Sequence, residues 1–186
     1  MSITIKNELG KDVENQNEMK LLEYLSSKFE VKNISLTVKI TKSEIPIGAG
    51  LGSSAAYAAC LSAAICLVCI KLRSQEHQET IEDHIYDGTN FLERINHGKP
   101  SGVDATTILT GGTISYALKH PPEITQVEKL KCNIDSLNMF IVFTGKQRDT
   151  KQLVAKVTQL KTEHPDEFNE LINTISNVAS ELIELV

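Results

Sequence analysis

The alternation of apolar and polar positions divides this chain into elements before any motif is considered. In N-E-M-K-L-L-E-Y-L-S-S-K-F (17–29), Met19, Leu22, Leu25 and Phe29 recur at helical spacing, which predicts a helix from about residue 14 to residue 28. In I-S-L-T-V-K-I-T-K, the residues Ile34, Leu36, Val38 and Ile40 alternate with polar ones, the period of a half-buried strand. Pro46 and a cluster of glycines end that strand. Ser53 or Ser54 can then cap a helix that runs to about Leu72. A second helix carries Ile81, Ile85, Leu92 and Ile95 on one face. It stops at Gly98, and Pro100 reinforces the stop. Residues 101–109 read as a turn and a short helix.

Downstream, Gly111 and Gly112 lead into a strand, T-I-S-Y-A-L, and K-H-P-P-E reads as a loop. N-M-F-I-V-F-T (138–144) reads as a strongly apolar strand, and 151–161 as a helix. A last long helix starts near Asp166, with Phe168, Leu171, Ile172, Ile175, Ala179 and Leu182 on its buried face. The chain stops at E-L-I-E-L-V, where the last carbonyls and an apolar face have no evident partner.

Composition narrows the function classes. The 186 residues suffice for one ordinary domain or one and a half small ones. A hydrophobic share of 41% with 23% charged residues is that of a globular protein in water. The net charge of -5 argues against a general nucleic-acid binder. With 5% aromatics and no tryptophan, a base-stacking platform is not expected. The start, M-S-I-T-I-K-N-E-L-G-K-D, lacks the apolar core of a secretory signal.

From Gly50 to Ile70 no residue is charged, and the run is about the length of a membrane span. Its alanine and serine content suits a helix packed closely against a sheet, so no membrane partner is expected. Cys60, Cys66 and Cys69 lie in this run and read as small buried hydrophobes. Cys66 and Cys69 form a C-x-x-C, but no second pair or nearby histidine pair completes a zinc set. With Cys132 as the fourth, a reduced cytoplasmic compartment is expected.

Candidate chemistry begins at P-I-G-A-G-L-G-S-S-A-A (46–56). A helix N-terminus presents free backbone N–H groups and a partial positive charge. Glycines before it let a ligand approach the backbone, and together they can cradle phosphate. The spacing is neither the Walker pattern nor G-x-G-x-x-G, and a glycine turn shaped only for tight packing would read the same way.

In F-L-E-R-I-N-H-G-K-P-S-G-V-D, Glu93 and Asp104 are eleven residues apart across a proline-glycine turn. Two carboxylates beside a phosphate cradle suit ATP-dependent phosphoryl transfer, one holding Mg²⁺ and the other orienting or deprotonating a hydroxyl. Equally, Glu93 could be a solvated residue pairing with Lys99, and Asp104 a helix N-cap. His97 is read as favouring the dipole of the helix it ends rather than as a base. Lys146, Arg148 and Lys151 in T-G-K-Q-R-D-T-K could grip an anion or form a solvated basic loop.

Taken together, these segments resemble a known family. The 46–56 motif resembles the ATP-binding motif of the galactokinase, homoserine kinase, mevalonate kinase and phosphomevalonate kinase superfamily. H-G-K-P-S-G-V-D-A-T-T-I-L-T-G-G (97–112) is similar to the narrower mevalonate kinase signature. T-G-K-Q-R-D-T-K-x-L-V-A-x-V is similar to the opening of that family's second domain.

The resemblance implies an α/β fold, α+β in detail. Residues 1–120 would form a partial ribosomal-protein-S5-like ATP-binding domain, and 135–186 the start of a ferredoxin-like domain. It implies a kinase that transfers the ATP γ-phosphate to the mevalonate 5-hydroxyl in isoprenoid and sterol synthesis, in the cytoplasm, with ATP and Mg²⁺ and with a homodimer as its assembly. Gly48, Gly50, Leu51, Gly52 and Ser53 would wrap the phosphates, and Ser54 and Glu93 would hold Mg²⁺. Asp104 would face the mevalonate hydroxyl as base or orienting group. Ser101, Gly102, Arg148 and Thr150 would lie near the substrate.

Two family segments have no counterpart here: an early P-G-K-V-x-L-x-G-E-H stretch with its lysine, and a late G-A-G-G-G-G motif. The expectation is therefore the middle of such a kinase, poorly stable and nearly inactive alone. Another small-molecule kinase of the superfamily, or a catalytically silent binding or regulatory fragment, are the alternatives.

Overall fold

The first strand is the centre of a small sheet. In the computed structural model, which describes residues 1–13, 15–73, 80–98, 100–117, 126–132, 140–145 and 150–185, β1 (Ser2–Lys6) pairs antiparallel with β2 (Asp12–Val13) and parallel with β3 (Ser35–Lys39). A parallel pair needs a crossover, and α1 (Gln16–Lys28) supplies it. The register sets Ile3 beside Leu36 and Ile5 beside Val38, so the apolar positions of both strands share one face. Periodicity anticipated β3. It did not identify β1 or β2, although Ile3 and Ile5 alternate with polar residues in β1. Between β1 and β2, the Asn7 side chain accepts hydrogen bonds from the Leu9 and Lys11 N–H groups, and Gly10 takes φ +77° to close the turn.

Four elements complete the first of two units, Met1–Leu109. They are α1, α2 (Ser53–Leu72), α3 (Ile81–His97) and α4 (Val103–Thr110), the last reaching the boundary. Thr80 caps α3 reciprocally with Asp83, accepting from its N–H at 3.2 Å and donating to its carboxylate at 2.8 Å. Gly98 ends α3 at φ +91°, as its position in the sequence anticipates.

The core joins Ile3 and Ile5 of β1 to Leu21, Leu22, Leu25 and Phe29 around α1, and to Leu61, Ile65 and Cys66 of α2. Each such fully buried Leu, Ile or Phe side chain contributes about 1.5–3 kcal/mol. α2 is long and apolar enough to cross a membrane by length and composition. In this fold Ala55, Ala58, Ala59 and Ser62 are buried where α2 packs on α1 and α3. Small residues there let the helices approach. At Gly88 of α3 an added Cβ would sit 2.7 Å from Ser62 Oγ and 3.0 Å from Leu25 Cδ1. Tyr24 and Phe91 stack at 4.3 Å, and Lys28 pairs with Asp87 between α1 and α3.

The cysteines divide by exposure. Cys66 and Cys69 are buried as expected, but Cys60 lies on the exposed side of α2, which corrects its reading as a core residue. Burial pushes the thiol of Cys66 up to about 12 and that of Cys69 up to about 11. A thiol-alkylating reagent at mildly alkaline pH is expected to label Cys60 in the folded chain and to spare Cys66 and Cys69 until urea is added. Peptide mass spectrometry reads the order, and early labelling of Cys66 or Cys69 would contradict this packing.

The second unit, Thr110–Val186, has a hairpin of β4 (Thr113–Ala117) and β5 (Gln126–Leu130), then α5 (Thr150–Glu163) and α6 (Pro165–Leu185). β4 and both helices match expectation, while β5 was not anticipated. Two expectations are corrected. Residues 140–144 form no strand, and Phe140 is 89% exposed (138 and 139 lie outside the described residues). Leu171, Ile172, Ile175 and Leu182 of α6 are exposed rather than buried, with Ile175 at 64%. α6 packs on α5, and one neighbouring helix covers only a strip of its surface. Helical periodicity marks a face as apolar without supplying what covers it.

Candidate functional site

The site grows from the connection between β3 and α2. Gly48, Gly50 and Gly52 all take left-handed φ, between +73° and +76°, a conformation that favours glycine. Gly52 is the N-cap of α2, and Ser53 and Ser54 are its first two residues. This corrects the expectation that a serine caps the helix: the N-cap is a glycine, and no side-chain cap bond forms among the described residues. Leu51 is exposed, and Ser53 and Ser54 are half-buried.

Freed from capping, the Ser54 hydroxyl turns to α3. It donates to Glu93 Oε1 at 2.5 Å, and His97 Nε2 lies 3.1 Å from the same Oγ. Glu93 is 6% exposed, so the alternative of a solvated surface carboxylate is excluded. Its proposed partner Lys99 lies outside the described residues. His97 follows Glu93 by four residues, and its Nε2 is 3.9 Å from Glu93 Oε1. His97 is the last residue of α3, the position from which the dipole role is expected. Its contact with Ser54 was not anticipated, although the spacing to Glu93 places both on one helix face. A second unanticipated brace is Tyr57, which donates to Glu18 at 3.0 Å and ties the first turns of α2 to α1. Burial, helped by the Glu18 charge, pushes the Tyr57 phenol well above its usual range.

α4 brings Asp104 to the same unit. Gly102 turns the chain at φ +84°, and the Val103 N–H donates to Ser101 Oγ at 3.3 Å. Asp104 therefore lies inside the first turn of α4 and is not its N-cap. It is exposed, while its neighbours Ala105 and Thr106 anchor the helix by burial. One turn on, Ile108 Cδ1 would lie 3.8 Å from a Cβ added at Gly52, so α4 lies against the glycine loop. Arg148 and Lys146 lie outside the described residues. Thr150 opens α5, and its side chain is likewise outside them.

Among the described residues no three His, Cys, Asp or Glu side chains form a closed metal cluster. Ser54 and Glu93 offer two hard oxygen donors, a set that fits a magnesium ion whose remaining positions are filled by phosphate and water. A helix N-terminus behind a loop of left-handed glycines, with a hydroxyl and a buried carboxylate beside it, is an arrangement in an α/β protein that suits a phosphate ligand.

The comparisons with known proteins agree. The family model described as GHMP kinases N terminal domain matches residues 18–112, and the chain belongs to this kinase family. A mevalonate kinase from Arabidopsis thaliana is 33% identical over 156 residues, spanning 79% of this chain and 38% of that protein. A mevalonate kinase from Homo sapiens is 32% identical over 151 residues, spanning 75% of this chain and 35% of that protein. The chain thus spans well under half the length of these relatives. The crystal structure of L. major mevalonate kinase in complex with R-mevalonate superposes with a TM-score of 0.67, covering 98% of this chain and 55% of that one at 18% identity, which shows a shared mixed α/β fold.

Proposed function

We propose that this chain serves the ATP-dependent phosphorylation of the mevalonate 5-hydroxyl, as a mevalonate kinase. The observation that carries this reading is the meeting of Ser54 and Glu93 at the open N-terminus of α2, behind three left-handed glycines. Its support in sequence is the P-S-G-V-D segment and the relatives named mevalonate kinase. In this reading the N–H groups of residues 52–54 bind the ATP phosphates, and Ser54 and Glu93 hold Mg²⁺. When bound, the cation offsets charge on the phosphate oxygens. Asp104 orients the attacking hydroxyl or takes its proton. Ser101 and Gly102 shape the substrate side, with Arg148 and Thr150 as its further candidates by family resemblance. Cytoplasmic residence and a homodimeric assembly go with this reading.

The test is a panel assay on the purified chain with ATP, Mg²⁺ and one alcohol at a time. Mevalonate is expected to give the fastest ADP release. Faster release with homoserine or galactose would move the chain to another branch of the family, and failure to bind MgATP would remove the kinase reading.

A further inference from the structure

We infer that His97 is a positioning residue for the Ser54–Glu93 pair: it accepts the Ser54 hydroxyl hydrogen bond when a divalent cation takes that hydroxyl's place beside Glu93. This rests on the reading that Ser54 and Glu93 hold Mg²⁺. In the present geometry the two oxygens satisfy each other, since Ser54 Oγ donates to Glu93 Oε1 at 2.5 Å. A cation between them requires a lone pair from each oxygen. Its charge repels the hydroxyl proton, which must then leave Glu93 and find another acceptor, because even a half-buried donor left unpaired is costly.

His97 Nε2 stands 3.1 Å from Ser54 Oγ, within reach of that proton after a rotation about the Ser54 side chain alone. The ring must then carry its own proton on Nδ1 and present a bare Nε2. Its place is set by α3. His97 follows Glu93 by one turn, and Gly98 ends the helix immediately afterwards. The same turn of α3 therefore supplies the carboxylate and the acceptor that orients the hydroxyl opposite it. Loss of a group that orients a metal ligand in this way typically costs about 10- to 100-fold in metal affinity.

The experiment is calorimetric titration of the full chain with ATP, once with Mg²⁺ and once with EDTA, read as the ratio of the two affinities. His97→Leu is expected to lower that ratio by about 10- to 100-fold and to leave ATP affinity in EDTA unchanged. His97→Gln, whose carbonyl can accept at nearly the same place, is expected to restore most of the ratio. Thermal melts establish that each variant is folded, and the exposed edge of the His97 ring makes both replacements tolerable. Full retention of the Mg²⁺ effect in His97→Leu, or a His97→Gln variant as weak as His97→Leu, overturns the inference. Glu93→Gln separates the two levels. If the unaltered chain shows no Mg²⁺ effect, or Glu93→Gln keeps it, the metal-site reading fails and takes the His97 role with it.

Discussion

On the proposed function, replacing Asp104 by asparagine is expected to lower phosphate transfer to mevalonate by about 10²–10⁴-fold, the usual share of a positioned general base. Asparagine keeps the shape and loses the basic oxygen. The helix beneath it should survive, because α4 is held by buried Ala105 and Thr106 and by the Ser101 hydroxyl at its start. Only a favourable charge in the first turn is lost, about 0.3–1 kcal/mol. MgATP affinity should change little, since the cradle, Ser54 and Glu93 belong to other elements. Product formation followed over hours, beside calorimetric MgATP affinity, checks both halves. Equal losses in transfer and in affinity would make Asp104 a binding group, and unchanged transfer would remove it from the reaction.

Gly88→Val is expected to destabilise the chain by about 3 kcal/mol, at the upper end of the usual cost of overpacking. The reason is the closeness of the helices there. A Cβ at residue 88 would meet Ser62 Oγ at 2.7 Å and Ser62 Cβ and Leu25 Cδ1 at 3.0 Å. Valine also forfeits much of the helix propensity that alanine would bring. Because α2 carries Ser54 and α3 carries Glu93, prising them apart should weaken MgATP binding as well. Adding Ser62→Ala removes the nearest atom, a buried hydroxyl with no hydrogen-bond partner among the described residues. That second change is expected to return at least about 1 kcal/mol, a coupling normal for residues in contact. Urea midpoints of the single and double variants measure it. A Gly88→Val chain with an unshifted midpoint would mean that the crossing can open without cost.

The two corrections in the second unit share a cause. Residues 140–144 have the apolar run of a strand, and α6 the stripe of a buried helix. Composition states that such surfaces gain by burial, but a strand also needs a hydrogen-bonded neighbour and a stripe needs something to cover it. The reverse error occurred at β1. S-I-T-I-K is short, and only its pairing between β2 and β3 makes it the middle strand of the sheet. Local sequence rewards a hydroxyl before a helix, which makes Ser53 or Ser54 the expected cap. The left-handed turn at Gly52 moved the helix start by one residue, and the Ser54 hydroxyl passed to Glu93.

By itself the sequence determined what depends on neighbours along the chain. That covers the spans of α1, α2 and α3, the stop at Gly98, the left-handed glycines before α2, and the motif order that points to the kinase family. These follow from propensity, capping and backbone sterics, which act within a few residues. Only the tertiary structure decided what depends on how helices cross. It buried Glu93, set it against Ser54 across 39 residues of chain, gave His97 a place beside both, and made Gly88 a contact point rather than a weak helix residue. Apolar periodicity says which side of a helix is apolar, but whether that side is covered, and by what, is decided by the packing of the whole unit.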